Sequence, residues 1–245
     1  MSGFTFAGVH SSTRHVRLLR SPVSILPGTR DKIISIPGRH GSFRVLPDLE
    51  ERHLRLECWL AATTTAELND RLRVARDWLN PLRGAQQLLF DNIINRFYLA
   101  AYAGNSLDAE IKANQGLFTL NFVCADPFLY NSLESEFNFT NSTNVTNAGT
   151  HPCDPVFRFT FTAAAAELRI TLAGRQIRIV HNFQIGNVLD VNCVTGGVLI
   201  AGARAMDRLD WQNSEFFSLA PGSNAITLTP INVCSANVRY RERWL

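Results

Sequence analysis

The side chains best suited to catalysis or metal binding are scattered through this chain. Six histidines and five cysteines are present, yet no C-x-x-C, H-x-H or H-E-x-x-H spacing brings two of them together. Two short segments could supply a nucleophile or an acid–base pair: Arg39-His40-Gly41-Ser42 and Asp190-Val191-Asn192-Cys193. Both segments have the composition of a turn or a strand end, and that explanation is the simpler one.

The motifs of common enzyme classes are also missing from the sequence. It contains no G-x-S-x-G elbow, no P-loop and no G-x-G-x-x-G turn. We therefore expect no catalytic residue, no cofactor-binding residue and no metal ligand. The sequence predicts a protein that is not an enzyme and needs no cofactor.

Composition argues against a disordered, membrane-spanning or secreted protein. Apolar residues make up 46% of the chain, which is enough for a core and excludes general disorder. No uncharged apolar run approaches the length of a membrane span, and Arg14, Arg17 and Arg20 interrupt the early sequence, so we expect neither membrane insertion nor a secretory signal. The odd number of cysteines favours buried free thiols and synthesis in a reducing cytoplasm.

The positive charge is small and lies in the first part of the chain. Residues 1–130 carry 15 basic and 12 acidic side chains, whereas residues 131–245 carry nine of each. This excess is too weak to predict nucleic-acid binding, which needs clustered cations. Only Lys32 and Lys112 are lysines, so arginine dominates. Coding bias and an arginine-rich subunit interface remain open as explanations.

The first half alternates between strands and one helix. Residues 53–60 alternate with Leu54, Leu56, Cys58 and Leu60 on one face, which places Trp59 on the polar face. A capping box at 64–67 opens a helix with its apolar stripe at Leu68, Leu72, Ala75 and Leu79, and Asn80-Pro81 ends it. Pro37-Gly38 predicts a type II turn after the strand 32–36.

A strand at residues 118–124 runs into Asp126-Pro127, which stops it because proline has no N–H to donate. The uncharged segment that follows, 138–150, is rich in Asn, Thr, Ser and Gly and holds three N-x-S/T sequons. We interpret this segment as part of a polar linker. The sequence therefore predicts two domains, at 1–130 and 151–245, joined by a linker at 131–150. The alternative is a strand and a long loop within one domain.

The second half is a series of short strands separated by marked turns. The predicted strands are 157–161, 168–172, 176–180, 188–191, 198–201, 225–228 and 237–240. Short strands at this spacing, without helical periodicity, are typical of an antiparallel β-sandwich.

Several motifs, in this order, resemble the distal tail protein (Dit) family of bacteriophages with long, non-contractile tails. The resemblance covers nearly the whole chain. The segments that carry it are Gly3–Ser12, Ile36-Pro37-Gly38-Arg39-His40-Gly41-Ser42, Asp77-Trp78-Leu79-Asn80, Phe118–Tyr130, Asn147–Thr150 with Pro155, Gly186–Val191, Leu219–Asn224 and Arg243-Trp244.

The resemblance implies a mainly β protein and a structural role in the virion. An N-terminal β-domain with one α-helix would form a hexameric ring at the tail tip, and a galectin-like C-terminal β-sandwich would point outward. The expected partners are other copies of the chain, the tail tube protein, a tail-associated hub or lysin-type protein, and tail fibres or receptor-binding proteins. DNA would pass through the lumen without specific binding.

The alternative function is a carbohydrate-binding β-sandwich module for attachment to the host surface. A sugar site usually needs an aromatic platform with polar groups around it. Trp211 with Asn213, and Trp244 with Arg243, are the candidates in the second half. Both pairs lie near predicted strand ends, where packing is the commoner reason for a tryptophan.

Overall fold

A computed structural model describes residues 3–21, 26–104, 110–112 and 114–245. The chain folds into two compact units that divide between Leu129 and Tyr130. The elements of the first unit are β1 (Phe4–Phe6), β2 (Val9–His10), β3 (Val16–Arg20), β4 (Thr29–Ser35), β5 (Ser42–Leu49), β6 (Arg52–Ala61), α1 (Thr65–Trp78), β7 (Gln86–Phe90), β8 (Arg96–Tyr102), β9 (Glu110–Lys112) and β10 (Gln115–Cys124). After β11 (Leu129–Asn131) the chain forms β12 (Ser135–Phe139), β13 (Ser142–Asn147), β14 (Val156–Phe161), β15 (Ala165–Leu172), β16 (Arg175–Phe183), β17 (Val188–Asn192), β18 (Gly197–Ile200), β19 (Ala203–Arg204), β20 (Gly222–Thr229), β21 (Cys234–Tyr240) and β22 (Arg243–Trp244).

The sheet of the first unit has the strand order β2-β1-β7-β8-β10-β6-β3, with β9 also paired to β10. β6 and β10 are antiparallel over their whole lengths. The predicted alternation of both strands is confirmed, because Leu54, Leu56, Cys58 and Leu60 of β6 and Phe118, Leu120, Phe122 and Cys124 of β10 are all buried. One face of this sheet therefore forms the core of the unit.

Helix α1 covers that buried face, as its sequence predicts. The Thr64 side chain accepts a hydrogen bond from the Glu67 amide at 3.2 Å, which caps the first turn. The Glu67 carboxylate accepts from the Thr63 amide and hydroxyl, one residue earlier than an ideal capping box requires. All four residues of the predicted apolar stripe are buried, so the helix packs by that stripe.

Trp78 adds a contact that the apolar stripe does not include. Its side chain is 3% exposed, and its ring stacks on Phe4 with centroids 5.5 Å apart. The indole Nε1–H donates to the Phe6 carbonyl at 2.9 Å, so the one polar atom of the ring is satisfied. The last turn of α1 thus fixes β1 within the core.

The second unit is the predicted β-sandwich. One sheet has the order β12-β21-β14-β17-β18-β19, and the other has β13-β20-β15-β16. Alternate residues of both sheets meet in one apolar core, where Phe161 stacks on Phe183 at 4.0 Å between centroids. The fold is mainly β with antiparallel pairing, and the second unit has the two-sheet arrangement of a galectin-like sandwich.

The prediction of a linker at 131–150 is wrong. Residues 135–139 form β12 and residues 142–147 form β13, and each strand closes one edge of a sandwich sheet. The side chain of Asn147 is buried and donates to the carbonyls of His151 and Leu219, both at 3.0 Å. An edge strand can be polar because it buries only alternate residues, which are Val145 and Asn147 in β13. The polar composition of this segment therefore did not indicate a linker.

All five cysteines are free in the structure, as expected. Cys58, Cys124, Cys153 and Cys234 are buried, and Cys193 is half-buried. Burial raises the pKa of the Cys58 thiol to about 12, so it stays protonated near neutral pH. These residues serve as small apolar side chains in the two cores.

Candidate functional site

The β4–β5 hairpin is the most exposed regular structure in the first unit. Every residue of β4 is exposed, and so is every residue of β5 except the half-buried Leu49. A hairpin of two strands without a buried face is at best marginally stable in water. The large apolar side chains that it and its tip expose are Ile33, Ile34, Ile36, Phe43, Val45 and Leu46. This composition fits a surface that another molecule covers.

The hairpin tip confirms the predicted turn. The Arg39 amide donates to the Ile36 carbonyl at 3.2 Å, and Gly38, the third residue of the turn, has φ +80°. This conformation favours glycine because a Cβ would be strained there. The Arg39 guanidinium lies 4.2 Å from the centroid of the Phe43 ring. Arg39, His40 and Ser42, predicted as turn residues, therefore shape an exposed tip.

The hairpin contains an ion pair and a bulge. One guanidinium nitrogen of Arg44 lies 2.8 Å from each carboxylate oxygen of Asp31 across the two strands. The register shifts between Arg30 and Lys32, so Leu46 and Pro47 lie where β5 bulges. Leu46 is 92% exposed. The bulge therefore projects an apolar side chain away from the hairpin.

The other candidate surface is a groove beside β3, the last strand in the order of the described sheet. A cavity of about 680 Å³ runs along this strand, and a second of about 440 Å³ shares Ser12, Arg17 and Trp59 with it. We call this surface the edge groove and define it by Val16, Arg17, Leu18, Leu19 and Trp59. The groove is open to solvent and combines apolar walls with a cation.

Trp59 lies in the edge groove, on the outward face where the alternation of β6 predicts it. Its strand register places it between Arg17 of β3 and Leu117 of β10. The Arg17 guanidinium lies 5.2 Å from the centroid of the indole, and Trp59 Nε1–H donates to Gln115 Oε1 at 3.3 Å. An arginine and an aromatic residue on an exposed face are the residue types that subunit interfaces favour.

A triad of side chains that the sequence did not indicate lies near this groove. His10 Nδ1 is 2.6 Å from Ser12 Oγ, and His10 Nε2 is 3.2 Å from Asp91 Oδ1. The same Nδ1 also accepts the Ser12 amide at 3.2 Å, and Asp91 Oδ2 accepts the Gly3 amide at 2.5 Å. The His10 side chain thereby caps the 3-10 turn Ser11–Arg14, and Asp91 holds both His10 and the Gly3 amide just before β1, so these are structural roles.

The second predicted acid–base segment is not assembled into a site. The Asp190 carboxylate lies 3.8 Å from Arg158 on the outer face of the larger sandwich sheet. Burial raises the pKa of the half-buried Cys193 thiol to about 12, which disfavours a thiolate nucleophile. The 190–193 segment is the end of β17 and the turn after it, as its composition suggests.

The candidate sugar-binding pairs differ from each other. Trp211 is 64% exposed, but Asn213 donates to Asp210 at 2.9 Å, and Arg178 joins Asp210 to Glu167. The hydrogen bond from Asn213, with further help from Arg178, lowers the pKa of Asp210. The polar neighbours of Trp211 therefore bond one another.

The second pair, Trp244 with Arg243, is part of the packing of β22. Arg243 Nε donates to the Pro152 carbonyl, and the residue forms a backbone bridge with His151. Across residues 3–21, 26–104, 110–112 and 114–245, no cluster of three or more His, Cys, Asp or Glu side chains has metal-binding geometry. No helix in those ranges is both long and apolar enough to span a membrane.

Two family models match the chain. The phage tail protein RIFT-related domain matches residues 15–124, and the C-terminal domain of a siphovirus-type tail component, SPP1_Dit, matches residues 148–244. Only residues 1–14, 125–147 and 245 lie outside the two matches. The chain belongs to the siphovirus distal tail (Dit) proteins. It is thus a structural distal tail protein, and the carbohydrate-binding alternative is not favoured.

Solved structures share the fold over essentially the whole chain. The SPP1 Dit protein (gp 19.1), described as a paradigm of the hub adsorption apparatus in phages that infect Gram-positive bacteria, superposes with a TM-score of 0.86 at 19% identity, with 100% of both chains covered. A chain of the phage P2 baseplate in its Ca-activated conformation superposes with a TM-score of 0.55 at 9% identity, with 99% of this chain and 98% of that chain covered. No curated protein sequence matches.

Proposed function

We propose that six copies of this distal tail protein form a closed ring at the tail tip and that the first unit builds the ring. The observation that carries the proposal is the β4–β5 hairpin, whose apolar side chains have no cover within the described first unit. An exposed apolar surface of this kind is typical of an assembly contact. A head-to-tail contact that closes on itself gives a ring rather than a filament.

The partners follow from the position of such a ring. The tail tube protein would bind above it, and a tail-associated hub or lysin-type protein would bind below it. The second unit would face outward and offer a surface to tail fibres or receptor-binding proteins. DNA would pass through the lumen without specific contacts, since the first 130 residues exceed neutrality by only three charges.

This role is mechanical and requires no catalytic residue, cofactor or metal. His10 of the triad with Ser12 and Asp91 caps a 3-10 turn, and the buried thiols stay protonated. We propose that the protein is not an enzyme, that it is synthesised in the host bacterial cytoplasm, and that it becomes part of the virion at the tail tip.

Imaging of the tail tip by electron microscopy tests this proposal. We expect a sixfold ring in which residues 1–130 of neighbouring copies touch and residues 151–245 lie outside. A single copy on the tail axis, or contacts made only by residues 151–245, would contradict the proposal. Light scattering of the free protein is a weaker test, since ring formation can need the tube or hub as a template.

A further inference from the structure

We propose that the β5 strand of one copy lies along the free edge of β3 in the next copy, with Leu46 in the edge groove. The inference rests on the proposed ring and names the two surfaces that would close it. Both surfaces belong to the first unit. The three observations that match them are their open strand edges, their exposed apolar side chains and the opposite charges of segment 48–51 and Arg17.

The open edges are complementary in hydrogen bonding. Among the described strands, β3 pairs only with β6, and β5 pairs only with β4. Each therefore presents outward N–H and C=O groups that an added strand can satisfy. Pro47 has no N–H, so a ladder along β5 would be confined to the residues before it.

The edge groove has room for the apolar side chain that β5 exposes. The β5 bulge exposes 92% of Leu46, and the edge groove holds a cavity of about 680 Å³ between Leu18, Leu19 and Trp59. A leucine side chain fits easily in this volume. The exposure of Leu46 also shows that the hairpin does not fill the groove of its own copy. A second copy supplies both surfaces at once, and a heterologous contact of this kind can repeat around a ring.

The acidic segment that follows Leu46 is opposite in charge to Arg17 of the edge groove, although residues 29–49 as a whole carry four basic and two acidic side chains. The hairpin leads into the acidic segment Asp48-Leu49-Glu50-Glu51, whereas the edge groove contains Arg17 and its second cavity adds His15 and Arg71. Arg71 is already bonded to Glu67, so Arg17 is the cation that we assign to the acidic segment. The Arg17 guanidinium lies over the indole of Trp59, and both residues line the groove.

Photo-cross-linking in assembled tails tests the contact. Benzoylphenylalanine replaces Leu46 in the full chain, and a matched control carries it at Leu82, which is 91% exposed in the same unit. We expect position 46 to give an adduct between two copies that maps to residues 16–19 or 59, and position 82 to give none there. A ring whose position-46 adduct maps elsewhere, or does not form, overturns this inference alone. Tail tips without a ring would contradict the proposed function instead.

Charge reversal gives an independent test with the same particles. We expect Arg17→Glu, and separately Asp48→Arg with Glu50→Arg, to lower the fraction of tails that carry the ring by about tenfold or more. Combining all three substitutions should restore it to within about threefold of the wild type. Arg73→Glu, on the exposed face of α1, is the matched control and should have no effect. Unaffected ring assembly when either side is reversed alone, or failed rescue in the combination, would refute the pairing.

Discussion

Two antiparallel hairpins in this chain have opposite environments. In the β15–β16 hairpin, Leu168, Ile170, Ile177 and Ile179 are fully buried in the sandwich core. In the β4–β5 hairpin, Ile33 is 61% exposed and its neighbours are exposed as well. Both hairpins carry β-branched and aliphatic side chains in extended backbone. The apolar side chains of β15–β16 pack against the second sheet of the sandwich. Within the described residues, nothing covers the apolar side chains of β4–β5.

The residues that stabilise the fold therefore differ from the residues that are available for assembly. Apolar side chains of β15–β16 stabilise the isolated protein, because their burial removes apolar surface from water. Those of β4–β5 can contribute in the same way only when a partner covers them. Stability measurements on the free chain should therefore respond to the first hairpin and not to the second.

The largest expected effect comes from matched isoleucine truncations. Ile170→Ala removes a fully buried side chain of β15 and should lower the free energy of unfolding by about 2–5 kcal/mol. Ile33→Ala in β4 should change it by less than about 0.5 kcal/mol. Denaturant unfolding of the full chain measures both. Similar losses in the two variants would show that the hairpin is packed in the free protein.

The role of β13 as an edge strand of the sandwich can be tested by a matched asparagine pair. Asn147→Ala leaves two buried carbonyls without their donor and should destabilise the sandwich by about 1–3 kcal/mol. Asn144→Ala, on the exposed face of the same strand, should cost less than about 0.5 kcal/mol. Thermal unfolding of the two variants measures the difference in their stability. A neutral Asn147→Ala would be the result expected of a linker.

A smaller, local effect is expected at the hairpin tip. Gly38→Val places a β-branched residue at φ +80° and should strain the turn by on the order of 1–3 kcal/mol. Because the tip lies outside the core, this strain should speed amide hydrogen exchange of β4 and β5 in assembled tails, with little change in the global stability of the free chain. Arg39→Ala should leave the exchange unchanged. Equal exchange rates in Gly38→Val and the wild type would remove the turn assignment.

The smallest effect concerns acid stability at the start of α1. Hydrogen bonds from the Thr63 hydroxyl and amide, with further help from Arg71, lower the pKa of Glu67 from 4.5 to about 2. The ionised carboxylate therefore stabilises the fold above pH 4.5, and this contribution is lost as the pH falls toward 2. Melting temperatures of Glu67→Gln and wild type should differ most near neutral pH and converge near pH 2. Asp70→Asn is the control, and a constant difference at all pH values would contradict the assignment.

Periodicity was sufficient to predict much of the fold. The alternation of β6 and β10 and the stripe of α1 each bury one face, and a buried face leaves a regular pattern in the sequence. The alternation of β6 also predicted that the Trp59 side chain lies on the outer face of the sheet. The burial of Trp78 was not predicted, because this residue lies outside the apolar stripe and its contact is to β1.

Features set by contacts distant in sequence could not be predicted. β12 and β13 are polar edge strands, and their pairing with β21 and β20 is invisible in their composition. The triad of His10, Ser12 and Asp91 joins residues 81 positions apart. The edge groove depends on which strand ends the sheet, and this is a property of topology rather than of local sequence.

Hydrogen exchange in the assembled tail is the most direct test of the contrast between the two hairpins. The amides of β4 and β5 are measured in the free chain and in purified tails, with β15 and β16 as the internal reference. We predict fast exchange of β4 and β5 in the free chain and slow exchange in the tail, while β15 and β16 are slow in both. Hairpin amides that exchange equally fast in the free chain and in the tail would contradict the account.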